Sequence, residues 1–352
     1  MSIDARNRNI VSVHTSIDTT DANRHKFVDD GLFVQDIAEK GLQLVLSGKR
    51  TFTEGGLVHR PFFGRDGVLS FQEEVISPDD IQAMHVRLVP SINVDGSETI
   101  PKLNSNNVKK LAGSKYELYR RVLEGYQVPT QLISTDTDLA TMEEMIAVVS
   151  GQDVVLKSNS GAGGKSTKIM PKEEALQWLI SQIDSDTGLR PQILQPRIRF
   201  GRLPEEIEAV DEAYRGLVER AKREDLLSEL RMFIVKRGNA HTLAPVLRIV
   251  PNIGDKMGND VYVDADLPDD LYVALAETTE DIINRVAQET GEEYILGAVD
   301  FYFDPERMPH VMEANLRSPE LPVTRQNPLS GRKMHKAVAS VLSDIVNERG
   351  RS

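Results

Sequence analysis

The sequence predicts an α/β (α+β) protein with more than one core. Three observations carry that expectation. At 352 residues the chain is longer than one ordinary hydrophobic core supports, so two or three domains are expected. Short β-type runs alternate with amphipathic helical runs along the first third. Two long apolar runs are then folded back at turn signals, "RGNA" (237–240) and "DPERMP" (304–309), which reads as two large hairpins.

The elements follow in order. "NIVSVHTSI" reads as a strand. "RHKFVDDGLFVQDIAEKG" reads as a helix with Phe27, Leu32, Ile37 and Ala38 on one side and Gly41 as its stop. "LQLVLS", "SFQEEVIS" and "AMHVRLVP" are further strands, the last two joined by a helical turn opening at Pro78. Pro90 to Asn107 is polar and punctuated by proline and asparagine, and reads as a linker. A helix follows at "SKYELYRRVLEGY", then the strand "DVVLK", a glycine run, the helix "KEEALQWLISQI" and the strand "PQILQPRI". The charged stretch from Pro204 to Leu230 reads as a solvated helix pair at an insertion. The hairpin "LRMFIVKRGNAHTLAPVLRIV" comes next. The helix "PDDLYVALAETTEDIINRVAQETG" has acids in its first turn and Gly291 past its end. The second hairpin, "YILGAVDFYFDPERMPHVMEANLR", and the helix "GRKMHKAVASVLSDIVNER" close the chain.

Composition narrows the function. A net charge of −12 disfavours nucleic acid as a partner. With no cysteine there is no disulfide, thiolate zinc site or cysteine nucleophile. The N-terminus lacks the apolar core of a signal peptide, and no apolar run would span a bilayer. A cytoplasmic protein without membrane partners is expected.

Two motifs carry chemistry. "DVVLKSNSGAGGKSTKIM" ends its glycine run in Gly164-Lys165-Ser166, like the tail of a phosphate-binding P-loop. A P-loop needs a glycine where this chain has Asn159, and must open directly into a helix. Here a β-type run and Pro171 intervene. The order strand, glycine turn, strand, helix leaves two readings: a hairpin whose turn amides form an anion nest over a polyphosphate, or an ordinary flexible hairpin. In the second large hairpin, a loop over Asp304–Pro309 pairs Phe303 with His310 and sets Asp300 opposite Glu313, with Asn315 on the same face. Two carboxylates across a strand pair repel each other. Among apolar neighbours they either strain the hairpin or hold a cation; the alternative is a solvated hairpin. Asp, Glu and Asn are hard oxygen donors of the magnesium type, a metal that takes few protein ligands and completes its shell with phosphate oxygens. The strand-borne cations Lys157, Arg231 and Arg248 complete a set suited to a magnesium nucleotide, although each alone is commonly a surface charge.

With these residues in hand, the chain resembles the ATP-grasp ligases, and within them bacterial glutathione synthetase, over most of its length. The resemblance rests on "VVLK" before "GAGG", Lys115 in "GSKYELYRRVL" with Asn104 eleven residues before it, "ILQPRI", Arg231 in "LRMFIV", Arg248 in "VLRIV", the D…E-x-N set Asp300, Glu313 and Asn315, "NLRSP" and "VRLVP". It implies a three-part architecture: a small N-terminal α/β domain (1–107) and two ATP-clamping α+β subdomains (108–196 and 197–352). It implies ATP with Mg²⁺, or Mn²⁺ in its place, held by Asp300, Glu313 and Asn315. Lys115, Lys157, Gly161, Gly163 and Gly164 would contact phosphates, and Gln195 and Ile198 the adenine. Arg231, Arg248 and Asn315 would act in catalysis, and Arg87 and Ser318 would face substrate. The activity implied is an ADP-forming ligation of a small-molecule carboxylate to an amine through an acyl phosphate; some members of the superfamily are phosphotransferases instead, and a nucleotide-binding regulator without turnover is the other alternative. Related ligases are often dimers or tetramers, so a homo-oligomer is open. Four departures leave the product unspecified: Ser158 replaces a usual proline, "PNIGDKMGNDVYVD" replaces a small glycine loop, the charged stretch after Pro204 is extra, and the N-terminal domain is trimmed between Pro90 and Asn104, where glutathione synthetase carries a further helix and strand.

Overall fold

The computed structural model describes residues 10–14, 32–47, 57–63, 69–86, 100–160, 167–183, 189–224, 226–250, 260–316 and 327–349. Three sheets organise them. The first contains β1 (Ile10–His14), β2 (Gln43–Ser47), β3 (Leu57–Phe63), β4 (Leu69–Val75), β5 (Ile81–Val86) and β6 (Lys102–Leu103), in the order β4-β3-β2-β1-β5-β6. β1 runs parallel to β2 and β5, and helix α1 (Leu32–Glu39) lies between β1 and β2 in the chain. Gly41 follows α1 at φ 71°, the left-handed position that stops a helix at little steric cost. Three expectations change here. The buried face of α1 is Phe33, Asp36 and Ile37, Ala38 is exposed, and Phe27 lies outside the described residues. "LVHRPFF" forms β3 despite its proline, which the alternation rule did not single out. The expected linker also supplies β6, which pairs with β5 and completes the sheet.

Next come α2 (Asn106–Ala112) and α3 (Lys115–Leu118), the latter running on as a π-helical turn over Tyr119–Leu123. The second sheet joins β7 (Gln131–Ile133), β8 (Asp153–Ser158), β9 (Lys168–Pro171) and β10 (Gln192–Pro196) in the order β7-β10-β8-β9, all antiparallel. Helices α4 (Leu139–Val148) and α5 (Lys172–Ile183) cover one face and bury Met142, Ile146, Ala175 and Leu179 against Val154, Leu156 and Leu194. β8 and β9 flank the glycine run as antiparallel neighbours, and the helix begins only at Lys172. That strand–turn–strand order excludes a P-loop and is common to both hairpin readings.

The third sheet is the largest platform. It holds β11 (Glu208–Ala209), β12 (Leu227–Arg237), β13 (Ala240–Val250), β14 (Val261–Asp266), β15 (Tyr294–Phe303) and β16 (Pro309–Asn315), in the order β11-β14-β13-β12-β15-β16. The expected hairpin turn at Gly238-Asn239 is present, with Arg237 paired to Ala240. Among its described residues the charged stretch gives a short 3-10 turn at Glu212–Tyr214 leading into one α-helix, α6 (Arg215–Arg223), and Leu227–Leu230 belongs to β12. Tertiary packing overrides the charge pattern there: Leu203, Ile207, Val218 and Ala221 are buried in the sheet's core. One face of the sheet buries Leu230, Met232, Ile234 and Val299 against α7 (Asp269–Thr290), and Val108, Leu111, Leu118, Val122 and Leu123 join that core. The opposite face buries Phe233, Val235, Ala244, Val246, Leu296 and Ala298 against α8 (Pro328–Arg349), which also meets α1 and the first sheet. Asp264 seats α8, accepting from the amides of Leu329 and Ser330 at 2.9 and 3.2 Å. Among the described residues no helix is long and apolar enough to cross a membrane.

Candidate active site

The face of the third sheet that carries α8 changes character along its strands. Side chains alternate, so Glu229 and Arg231 share the face of Phe233 and Val235. Arg248 lies directly across from Glu229, Asp300 across from Arg231, and Glu313 across from Asp300. One end of the face is therefore apolar and covered, and the other is a ladder of charged side chains in which Asp300 and Glu313 are neighbouring acids.

The expected pairing of Asp300 with Glu313 holds. Nearer the loop the register shifts by one, so His310 faces Tyr302 and Phe303 faces Pro309. A bulge between Asp300 and Phe301 absorbs the difference, leaving Met312 as the extra residue. The bulge keeps both acids in place while re-aiming the strand ends.

The repulsion between these acids is met by the chain's own cations. Arg231 donates from Nε to Asp300 Oδ1 at 2.6 Å and from Nη2 to Oδ2 at 2.8 Å, a bidentate pair. Asn315 Nδ2 donates to Asp300 Oδ2 at 2.8 Å and to Glu313 Oε1 at 3.2 Å. Lys115 Nζ lies 3.7 Å from Glu313 Oε2. The expectation that a bound cation alone makes the pair tolerable is thus corrected: the acids are compensated without one, and Asn315 turns its amide nitrogen toward them. Among the described residues no group of three or more His, Asp or Glu is placed to hold a metal.

Burial pushes the Asp300 carboxyl above the usual carboxylate range, and Arg231 only partly offsets this. Glu313 goes the other way. Burial raises it, but Lys115, Lys157 and the Asn315 hydrogen bond outweigh that and hold it below the usual value. Two facing carboxyls are thus driven apart. Burial lowers the Lys157 ammonium, with Glu313 pulling it back. Arg248 is gripped on both sides, donating from Nη1 to Glu229 at 2.6 Å and from Nε to Asp260 at 2.8 Å. Burial raises the Glu229 carboxyl despite that arginine. Glu229 and Asp260 had not been singled out from the sequence. Strand alternation from Arg231 would have placed Glu229 on this face, whereas no local signal marks Asp260.

The remaining candidates divide. Lys115 lies 3.7 Å from Glu313 and Lys157 is within electrostatic reach of both, although the two lysines belong to different elements. Gln195 is buried and donates to Thr130 Oγ1 at 2.7 Å, so its side chain serves the second sheet's interior. Ile198 is half-buried just past β10. Asn104 is buried and braces the main chain of β15 at Leu296. Arg87, Gly161, Gly163, Gly164 and Ser318 lie outside the described residues.

No protein-family model matches the sequence, and no curated protein matches it. Solved structures do match in fold. The chain is similar to D-alanyl-alanine synthetase A from Vibrio cholerae O1 biovar eltor str. N16961, with a TM-score of 0.59 and 10% identity over 97% of this chain and 99% of that one. It is similar to D-cycloserine synthetase DcsG, with a TM-score of 0.57 and 14% identity over 95% and 99%. It is also similar to a Chryseobacterium gregarium RiPP-associated ATP-grasp ligase in complex with ADP and a leader and core peptide, with a TM-score of 0.53 and 15% identity over 96% and 97%. Across nearly the whole of its length, the chain has the ATP-grasp fold.

Proposed function

We propose that this protein is an ATP-dependent carboxylate–amine ligase, and that the charged end of the third sheet is its active site. The observation that carries this reading is the convergence of Lys115, Lys157, Arg231, Asp300, Glu313 and Asn315 at one place, from the second sheet, the third sheet and the helix between them. The three-part division at residues 107 and 196 belongs to the same proposal, as do the phosphate roles of Gly161, Gly163 and Gly164.

Asp300 and Glu313 suit a magnesium ion: both are hard donors, they face one another, and the Glu313 side chain is 36% exposed. When bound, magnesium would neutralise phosphate charge and polarise the transferring phosphoryl group. Lys115 and Lys157 bind and orient the polyphosphate. A substrate carboxylate oxygen attacks the γ-phosphorus in line, the bond to the β-phosphate oxygen breaks, and ADP leaves; the chain's part is positioning and electrostatics. The amine then attacks the acyl carbon, phosphate departs, and the nitrogen loses a proton. Arg231 spends Nε and Nη2 on Asp300, which leaves Nη1 to meet the developing oxyanion. Among ligases of this kind the N-x-x-S-P run at Asn315–Pro319 favours the glutathione synthetase type.

The test is Glu313→Gln. The variant keeps the shape and the Asn315 contact but loses the charge. ADP release is expected to fall by about a hundredfold, the scale on which one preorganised charged or polar group acts, with an unchanged circular dichroism spectrum. Full ADP release from a folded variant would remove Glu313 from the site.

A further inference from the structure

Asn159, two residues beyond Lys157 and two before Gly161, occupies the position where a P-loop would need glycine. Here it uses every polar group it has. Its main-chain N–H donates to the Pro191 carbonyl at 2.9 Å, and its carbonyl accepts from the Lys115 amide at 2.9 Å. Its side-chain Oδ1 accepts from the Tyr116 amide at 2.9 Å, and Nδ2 donates to Ser114 Oγ at 3.1 Å. The Tyr116 amide can only donate, so the orientation of the Asn159 side chain is determined by its partner.

Ser114 adds the third bond, accepting from the Glu117 amide at 3.2 Å. The first three amides of α3 are therefore all satisfied, two by Asn159 and one by the serine that Asn159 holds. Unsatisfied amides at a helix start are what usually draw a phosphate. In this chain they are occupied, which leaves the side chain of Lys115 as the group that can meet an anion. The same residue that occupies them continues β8, the strand of Lys157. Two lysines far apart in sequence are thus joined through one asparagine. Alanine at this position would strand the Tyr116 amide, and aspartate would keep that acceptor but lose the Nδ2 donor that Ser114 Oγ accepts from.

We propose that Asn159 is a positioning residue, which sets the Lys115 ammonium against Lys157 and Glu313 and so fixes the spacing of the two cations that receive the nucleotide phosphates. This rests on the site being the nucleotide site of the proposed ligase.

A double-mutant cycle on Mg-ATP affinity tests it, by isothermal titration on the full chain. Asn159→Ala is expected to weaken binding by about tenfold, and by less than about twofold once Lys115 is already alanine, because residues that act through one another are not additive. An equal loss in both backgrounds would overturn the proposal, since a general loosening of the fold does not depend on Lys115. If Lys115→Ala weakens binding and Asn159→Ala does not, the coupling is refuted while the nucleotide site stands. Absence of Mg-ATP binding by the unaltered protein would refute both. If Asn159→Ala does not fold, Ser114→Ala replaces it in the same cycle. It removes only the hydroxyl that Asn159 holds, and a smaller loss, again abolished by Lys115→Ala, is expected; an equal loss in both backgrounds again overturns the proposal.

Discussion

Lys157 shows at the residue scale how the fold turns an ordinary side chain into a binding group. It sits on β8, within electrostatic reach of Lys115 and Glu313. Burial favours the neutral amine, so its proton is lost at a lower pH than from an exposed lysine. Only the protonated form attracts a polyphosphate. Mg-ATP affinity should therefore decline as pH rises through a value below the ordinary lysine range, and Lys157→Arg, whose guanidinium keeps its proton, should flatten that decline. Titrations across the alkaline range check both. A decline that persists unchanged in Lys157→Arg would assign the titration elsewhere. Arg231 makes a second point at this scale. Its bidentate grip on Asp300 gives a buried carboxylate a matched cation from the neighbouring strand.

Among the elements, β6 is the joint between the first and third sheets. Its successor Asn104 stands at φ 56°, a left-handed conformation that asparagine tolerates better than most residues. From there its side chain accepts from the Leu296 amide at 2.7 Å and donates to the carbonyls of Leu296 and Leu316. Asn104→Ala would leave those buried main-chain groups unpaired, at a cost of about 2–4 kcal/mol. Chemical denaturation should show that loss, and Mg-ATP affinity should change little in the folded fraction, because Asn104 faces the main chain of β15 and not the charged ladder. The elements also show what was legible beforehand. The hairpins and the long helices α7 and α8 were readable because each has a strong period and clear stop signals, as at Gly238 and Gly291. β3 and β6 were not, since one contains a proline and the other is two residues long and exists only because β5 is beside it. The charged stretch misled for the opposite reason: its charges are local, whereas the burial of Val218 and Ala221 depends on a sheet that closes around them.

For the whole molecule, the site was legible as a list and not as a network. Asp300, Glu313 and Asn315 could be set on one face by counting along two strands. The bulge at Met312 could not be foreseen, yet it changes only the loop-side register. Lys115 joined the list through family resemblance alone; its approach to Glu313 depends on the bonds of Asn159, which span two elements. Glu229 and Asp260 turn Arg248 into the centre of a three-residue ion cluster that motif reading had treated as a lone cation. The fold brings Lys157 of the second sheet within electrostatic reach of Glu313 and Glu229 on the third. The measurement that bears most directly on the proposed ligation is ADP and phosphate release, with mass spectrometry of products, from a panel of amino acids and dipeptides incubated with ATP and magnesium. A ligase should release both only when a carboxylate and an amine are present together, and its product should weigh their sum less one water. Release with a single substrate that retains the phosphate, or nucleotide binding with no turnover across the panel, would contradict it.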